Sequence, residues 1–222
     1  MLTYGGGPPV VDSYRELGAL RCVPIYNALD PQTHHPVVPN PRFASDLAFL
    51  GNRLPDREAR VEDFFFMPAA TLRERRFLLG GAGWADKPRP PNVAYLGHVA
   101  TAEHNAFNCT PRAVLNISRS SMAENGYSPA TRVFEAVGAG ACLITDAWVG
   151  IELFLMPGEE VLVARDGQDV AAMLDSLSAE TASEIGQQAR ARVLAEHTYT
   201  HRAAEADRIF RGFARPNVKA AE

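Results

Sequence analysis

The residues best equipped for chemistry in this 222-residue sequence are arginines placed beside glycines, together with one glutamate in an apolar stretch. Gly51-Asn52-Arg53-Leu54-Pro55-Asp56-Arg57 sets a glycine, where backbone can approach a ligand, beside two planar guanidinium forks suited to phosphate oxygens. Each charge-assisted hydrogen bond to such an oxygen is worth about 1.5–3 kcal/mol. Arg53 stands at the tip of a strand, just past the apolar run that ends at Leu50, which favours a ligand over a solvated surface charge. Arg57 is balanced between that role and pairing with Glu58 or Glu62.

The second constellation lies in residues 116–146, NISRSSMAENGYSPATRVFEAVGAGACLITD. Ser128 followed by Pro129 has the form of a helix N-cap with proline at the first helical position. The free amides and positive dipole end of that helix would make an anion site. Arg132 and Glu135, three apart, share a face of it. Glu135 stands among Val133, Phe134, Ala136 and Val137, where an unpaired carboxylate is costly. It must pair with Arg132, with another protein group, or with a ligand hydroxyl; spacing leaves these open.

Short apolar runs at 46–50, 76–79, 92–96, 113–117, 141–145 and 160–164 have the continuous hydrophobicity of parallel strands covered on both faces. Helical patterns at 57–66, 102–107, 129–137 and 168–177 separate most of them, and two more, 179–196 and 200–213, close the chain. Such alternation specifies an α/β fold built on a doubly wound parallel sheet, with its ligand-facing edge at the strand carboxyl ends. Before this lies a strand end, the turn Gly5-Gly6-Gly7 and a helix at 10–20, which resemble the remnant of a second Rossmann-like unit. Residues 30–41 carry four prolines and mark a linker, placing a domain boundary near Pro41.

The bulk properties narrow the options. A net charge of −4 offers no overall basic field for nucleic acid or anionic membrane. Cys22, Cys109 and Cys142 form no Cys-x-x-Cys pair, which argues against a zinc site or a disulfide framework. Neither a secretory leader nor an apolar run of membrane-spanning length is present in the sequence, so a reducing cytoplasm is the expected location. Gly81-Ala82-Gly83-Trp84-Ala85-Asp86 begins like a dinucleotide fingerprint but has Asp86 at the third glycine and prolines after it. His34 and His35 are adjacent and diverge, and no Asp-x-Asp occurs, so no metal is expected.

The order of strand, "EA" helix, Gly138-Ala139-Gly140, strand ending Thr145-Asp146, then Gly150-Ile151-Glu152 and Gly158-Glu159-Glu160-Val161-Leu162-Val163 resembles the donor domain of GT-B glycosyltransferases. The wording NGYSPATRVFEAVGAGACLITD is closer still to spore-maturation CgeB-type glycosyltransferases. The likeness runs from about residue 46 to 199. It implies transfer of a sugar from a nucleoside diphosphate to an unknown acceptor, without metal or cofactor. It implies a remnant of the acceptor domain with its linker at 1–41, a nucleotide-sugar domain at 42–199, and a crossover helix and tail at 200–222. Arg53 then matches the family's diphosphate-binding basic residue, beside Gly51 and Asn52, and Gly97-His98-Val99 the loop near the base. Gly126, Tyr127 and Ser128 match the loop that reaches phosphate and sugar. Glu135 matches the second of two glutamates eight apart, the one that binds ribose; the first falls on Tyr127, which is not acidic. Arg119 and Arg132 join as further phosphate or sugar contacts, with Arg53 and Arg132 stabilising the leaving group. A chain with so little of the acceptor half is expected to bind donor but turn over poorly. The apolar face of its last helix, around Ile209 and Phe210, is expected to meet a missing domain or a second copy. A non-catalytic nucleotide-binding or assembly module on the same half-fold is the other reading. A phosphorylase is disfavoured, because Lys87 and Lys219 are the only lysines and lie outside the strand–helix core.

Overall fold

The computed structural model describes residues 1–213. The chain opens with a small βαβ unit: β1 (Leu2–Thr3), α1 (Pro8–Glu16) and β2 (Val23–Pro24), the two strands pairing in parallel. The first strand therefore has a partner, one too short to carry a hydrophobic period. Helix α1 ends earlier than the pattern suggests, because Leu17 caps it and Gly18 turns left-handed at φ 94°.

Six further strands form one parallel sheet: β3 (Leu47–Leu50), β4 (Phe77–Gly80), β5 (Val93–Gly97), β6 (Ala113–Asn116), β7 (Leu143–Asp146) and β8 (Leu162–Ala164). Their order is β5-β4-β3-β6-β7-β8, so the chain winds outward one way from β3 and the other way from β6. Each strand lies within two residues of its expected place. Strands β3, β4, β6 and β7 are buried along their whole length, because helices cover both faces.

Alternate residues feed opposite layers. Phe49, Phe77, Leu79, Leu115 and Ile144 join one core with α2 (Glu58–Val61), α3 (Met67–Thr71) and α7 (Gly167–Ser176). Ala48, Leu50 and Leu78 meet Phe107 of α4 (His104–Cys109), whereas Val114 and Leu143 pack on α6 (Thr131–Gly138). Each fully buried phenylalanine contributes about 1.5–3 kcal/mol of transfer free energy. The helix expected at 57–66 continues to Thr71 through a five-residue π turn, Glu62–Phe66. That turn precedes Pro68, which cannot donate to the helix ladder and whose ring crowds the preceding turn.

Side-chain caps start α7 and α8 (Ala179–Glu196): Asp166 accepts from the Asp169 amide at 2.9 Å, and Ser178 from the Thr181 amide at 3.0 Å. Helix α6 departs from expectation. It begins at Thr131 with Ala130 in the cap position, and the Ser128 hydroxyl instead accepts from the Gly6 amide at 3.1 Å. The short polar α5 (Ser120–Asn125) buries none of its residues and leaves no periodic signal in the sequence.

The first 41 residues are stitched to the large unit. Leu29 is buried in the α6 core and exchanges backbone hydrogen bonds with His197 and Tyr199. Helix α9 (Tyr199–Phe213) then runs beside this segment, and Arg202 donates to the Tyr26 carbonyl at 3.2 Å. Phe210, one of the apolar residues singled out in the sequence, is exposed. The expected tail at 214–222, with Lys219, lies outside the described residues. No helix among the described residues is long and apolar enough to cross a membrane.

Candidate functional site

At the carboxyl ends of β3 and β6, where the sheet order reverses, a cleft of about 500 Å³ opens. Gly51 and Asn52 follow β3 into it, His98 and Val99 enter from the β5 loop, and Ser118 and Arg119 from the β6 loop. Arg132 reaches it from the first turn of α6, and Arg57 from the turn before α2.

The β3 loop is clamped to the loop after β4. Trp84, wholly buried, donates from Nε1 to the Gly51 carbonyl at 2.8 Å. The Ala82 amide donates to Asn52 Oδ1 at 2.9 Å, and the Arg53 amide to the Ala82 carbonyl at 2.9 Å. Gly81 makes this contact possible: at φ 118°, a β-carbon there would lie 2.2 Å from the Gly51 carbonyl oxygen. The β6 side rests on Asp146, which is fully buried at the end of β7. Its Oδ1 accepts from the Ser118 amide at 3.0 Å and hydroxyl at 3.2 Å, and its Oδ2 from Arg60 at 2.6 Å.

The electrostatics of the cleft are cationic. Burial lowers the Arg57 pKa from its ordinary value, and the charges of Arg119 and Arg132 push the same way against the opposing pull of Asp56. Burial also lowers that of Arg132, against the pull of Glu135. Both remain charged at neutral pH. Arg57 Nε and Arg132 Nη1 are buried donors without a hydrogen-bond partner. The nearest carboxylate oxygen to Arg132 is on Glu135 at 3.7 Å, an ion pair too long for a hydrogen bond. Arg119 is more open and is held by Asp56 at 2.6 Å. His104, beside them, sits below the ordinary histidine range through burial and then the field of Arg132. Arg57 Nε and Arg132 Nη1 are both left able to take a charged acceptor, the pairing in which a guanidinium hydrogen bond is strongest.

Of the residues singled out in the sequence, Gly51, Asn52, His98, Val99, Arg119 and Arg132 line this cleft. Gly97 is adjacent, with the left-handed φ of 71° that turns the chain into it. Glu135 is one turn further along α6, outside the lining, with its side chain 24% exposed. Arg53 does not line the cleft. Its guanidinium is turned outward and grips both oxygens of Glu58 at 2.7 and 2.8 Å and Asp86 at 3.2 Å. Gly126, Tyr127 and Ser128 lie outside the cleft lining, Gly126 against Val149 and the other two against the N-terminal glycines; Ser128 borders a neighbouring hollow of about 200 Å³ with Gly5, Gly6 and Met122. Tyr127 adopts a left-handed φ of 46°, and its ring is held between two glycines. A β-carbon on Gly7 would lie 2.2 Å from one ring edge, and one on Gly150 2.5 Å from the other.

Asn27, Asn116, Ser118, His104 and Thr131 also line the cleft and carried no distinguishing signal in the sequence. Asn27 arrives from the N-terminal segment, with its amide donating to the Pro129 carbonyl at 3.2 Å, a contact across 102 positions. Arg57 was visible as a cation, but the choice between it and Arg53 turns on which one Glu58 captures.

A family model described as glycosyl transferase-like matches residues 57–208. No curated protein matches the sequence. Among solved structures, the chain resembles sucrose-phosphate synthase from Thermosynechococcus elongatus, with a TM-score of 0.67 at 15% identity over 96% of this chain and 57% of that one. It resembles Anabaena HepE in complex with UDP-glucose, with a TM-score of 0.67 at 13% identity over 94% of this chain and 62% of that one. It also resembles AviGT4, a glycosyltransferase involved in avilamycin A biosynthesis, with a TM-score of 0.63 at 19% identity over 96% of this chain and 64% of that one. The chain spans less than two thirds of each of these structures. At such identities the likeness establishes the architecture: the six-stranded sheet has the GT-B Rossmann-like fold.

Proposed function

Because the chain belongs to the glycosyl transferase-like family, we propose that its cleft binds a nucleoside-diphosphate sugar and supplies the donor half of a glycosyl transfer. The observation that carries this reading is the pair of unsatisfied guanidinium donors, on Arg57 and Arg132, converging where a doubly wound sheet binds its ligands. Arg57, Arg132 and the more exposed Arg119 hold the diphosphate. The loop of Gly97, His98 and Val99 faces the base, and Gly51 and Asn52 bring backbone close to the phosphates. Glu135, one turn from Arg132, reaches the ribose hydroxyls after a rotamer change, and the Gly126-Tyr127-Ser128 loop lies toward the sugar. The wording NGYSPATRVFEAVGAGACLITD supports a kinship with the CgeB-type enzymes as part of this proposal.

In the reaction, the bond between the anomeric carbon and the diphosphate oxygen breaks and the diphosphate departs with the electron pair. An acceptor oxygen loses its proton and bonds to that carbon. The arginines stabilise the growing phosphate charge, which makes this half of the step independent of a metal. Preorganised groups of this kind are worth about 100- to 1000-fold each in rate by analogy with oxyanion holes. Residues 42–199 act as the donor domain, 1–41 belong to the second lobe, and the helix beginning at Tyr199 crosses back to it. The acceptor and its proton-accepting base come from outside the cleft described here.

Thermal unfolding with UDP-, GDP-, ADP- and dTDP-sugars tests the reading. A true donor at 100 times its dissociation constant adds about 2.7 kcal/mol of stability. The UDP-sugars come first, because HepE was solved with UDP-glucose. No shift with any of the four at millimolar concentration would overturn the assignment. Binding without release of nucleoside diphosphate across an acceptor panel would identify a non-catalytic nucleotide-binding module instead.

A further inference from the structure

Arg53 stands at the position expected to touch phosphate, yet its donors are spent elsewhere. Nε and Nη2 take the two oxygens of Glu58, and Nη1 reaches Asp86. Lys87 binds the same Glu58 at 3.0 Å and also Glu62. Two cations are thus set against three carboxylates, Glu58, Glu62 and Asp86. Turning Arg53 toward a phosphate would strip Glu58 of its bidentate partner and leave that carboxylate facing the incoming anion. The Arg53 side chain also lies 6.0 Å over the Trp84 ring, the residue that anchors Gly51.

The same contacts define a turn. The Arg57 and Glu58 amides donate to the Leu54 carbonyl at 3.0 and 2.9 Å, and Arg57 Nη2 arches back to the Asn52 carbonyl at 2.6 Å. Arg53 and Glu58 flank this turn, and their bidentate pair joins its two ends. Arg57 is carried on it, with its guanidinium directed into the cleft. We propose that Arg53 is a positioning residue: with Glu58 and Lys87 it forms a latch that holds the 53–58 turn closed and so aims Arg57 at the diphosphate. This assignment rests on the reading of the cleft as a diphosphate site and reverses the direct role that sequence position suggests for Arg53. Glu58 is fully committed to the latch: the hydrogen bonds from Arg53, and then those from Lys87, hold its pKa down at about 2.

The two roles separate in a mutant cycle read by calorimetric titration of UDP and of inorganic pyrophosphate. The variants are Arg53→Ala, Glu58→Gln, their double mutant, Arg57→Ala, and Arg53→Ala combined with Arg57→Ala. A latch predicts that Arg53→Ala and Glu58→Gln each weaken UDP by roughly tenfold, about one charge-assisted hydrogen bond. The Arg53/Glu58 double mutant is then no weaker than the worse single, and Arg53→Ala adds nothing once Arg57 is gone. A phosphate ligand behaves oppositely: Glu58→Gln frees Arg53 and leaves binding equal or tighter, and losses at 53 and 57 add. That pattern overturns the latch. The isosteric Glu58→Gln keeps the test open if Arg53→Ala fails to fold, and an unchanged melting temperature with lost affinity separates aim from general stability. If Arg57→Ala weakens binding while Arg53→Ala and Glu58→Gln do not, the latch alone is refuted. If Arg57→Ala is also silent, the diphosphate reading falls with it.

Discussion

Replacing Arg132 with methionine should weaken nucleotide binding without weakening the protein. The Arg132 side chain is 18% exposed, its Nη1 is a buried donor with no partner, and the closest carboxylate oxygen stands 3.7 Å away. Leaving a buried polar group unsatisfied costs about 1–3 kcal/mol, more when it is charged. A phosphate oxygen placed against it restores a charged hydrogen bond worth about 1.5–3 kcal/mol, or roughly 10- to 150-fold in dissociation constant. Methionine fills similar length with an unbranched apolar chain and removes the unsatisfied charge. The unliganded variant should therefore be at least as stable as the parent, gaining up to about 1–2 kcal/mol after Glu135 loses its neighbour. Titration calorimetry with UDP and urea unfolding, run on the same preparations, read the two effects separately. An affinity within twofold of the parent, or a stability loss above about 2 kcal/mol, would show that Arg132 is a structural anchor and refute the argument.

Two other consequences concern the scaffold. His197 is buried, accepts from Arg202 at its Nδ1, and has its pKa lowered to about 4 by burial first and Arg202 second. Below its unfolded pKa, near 6.5, the unfolded chain takes up this proton and the folded one does not. Stability therefore falls as pH drops from about 6.5 to 4, by up to about 3 kcal/mol, and His197→Gln should flatten that slope in urea titrations. Asp146→Asn keeps the shape of the network beneath Ser118 but leaves Arg60 without its charge partner at 2.6 Å. A loss of about 3 kcal/mol is expected, at the low end for a buried pair because Arg60 retains some solvent; a loss under 1 kcal/mol would count against it.

Much of the architecture is written in local patterns. The four inner strands of the large sheet are short apolar runs whose burial on both faces leaves no room for polar alternation, and the half-buried edge strands β5 and β8 are apolar enough to stand out with them. The edges of α7 and α8 follow from Asp166 and Ser178, capping residues whose side chains do what their type predicts. The misplaced start of α6 has a nonlocal cause. Ser128 is a competent cap, but its hydroxyl is taken by Gly6, 122 residues away in sequence. The cleft was legible by region and less so by residue. Topology assigned the loops after β3, β5 and β6 to one edge, with Gly51 and Asn52 after β3; His98, Val99 and Arg119 came from the family resemblance, and all five line the cleft. Which of two arginines five-residue pairing would capture, and that Asn27 would cross from the N-terminal segment, depend on contacts that no periodicity records.

The wedging of Tyr127 between Gly7 and Gly150 constrains how this chain can change over evolutionary time. With the ring in place, positions 7 and 150 are closed even to a methyl group. A smaller residue at 127 opens position 7, where a larger residue cannot arrive first, whereas position 150, at φ 99°, stays strained for any side chain. Substitution at 7 and 127 thus has a required order, and relatives in which position 127 is small are where a side chain at position 7 should be found.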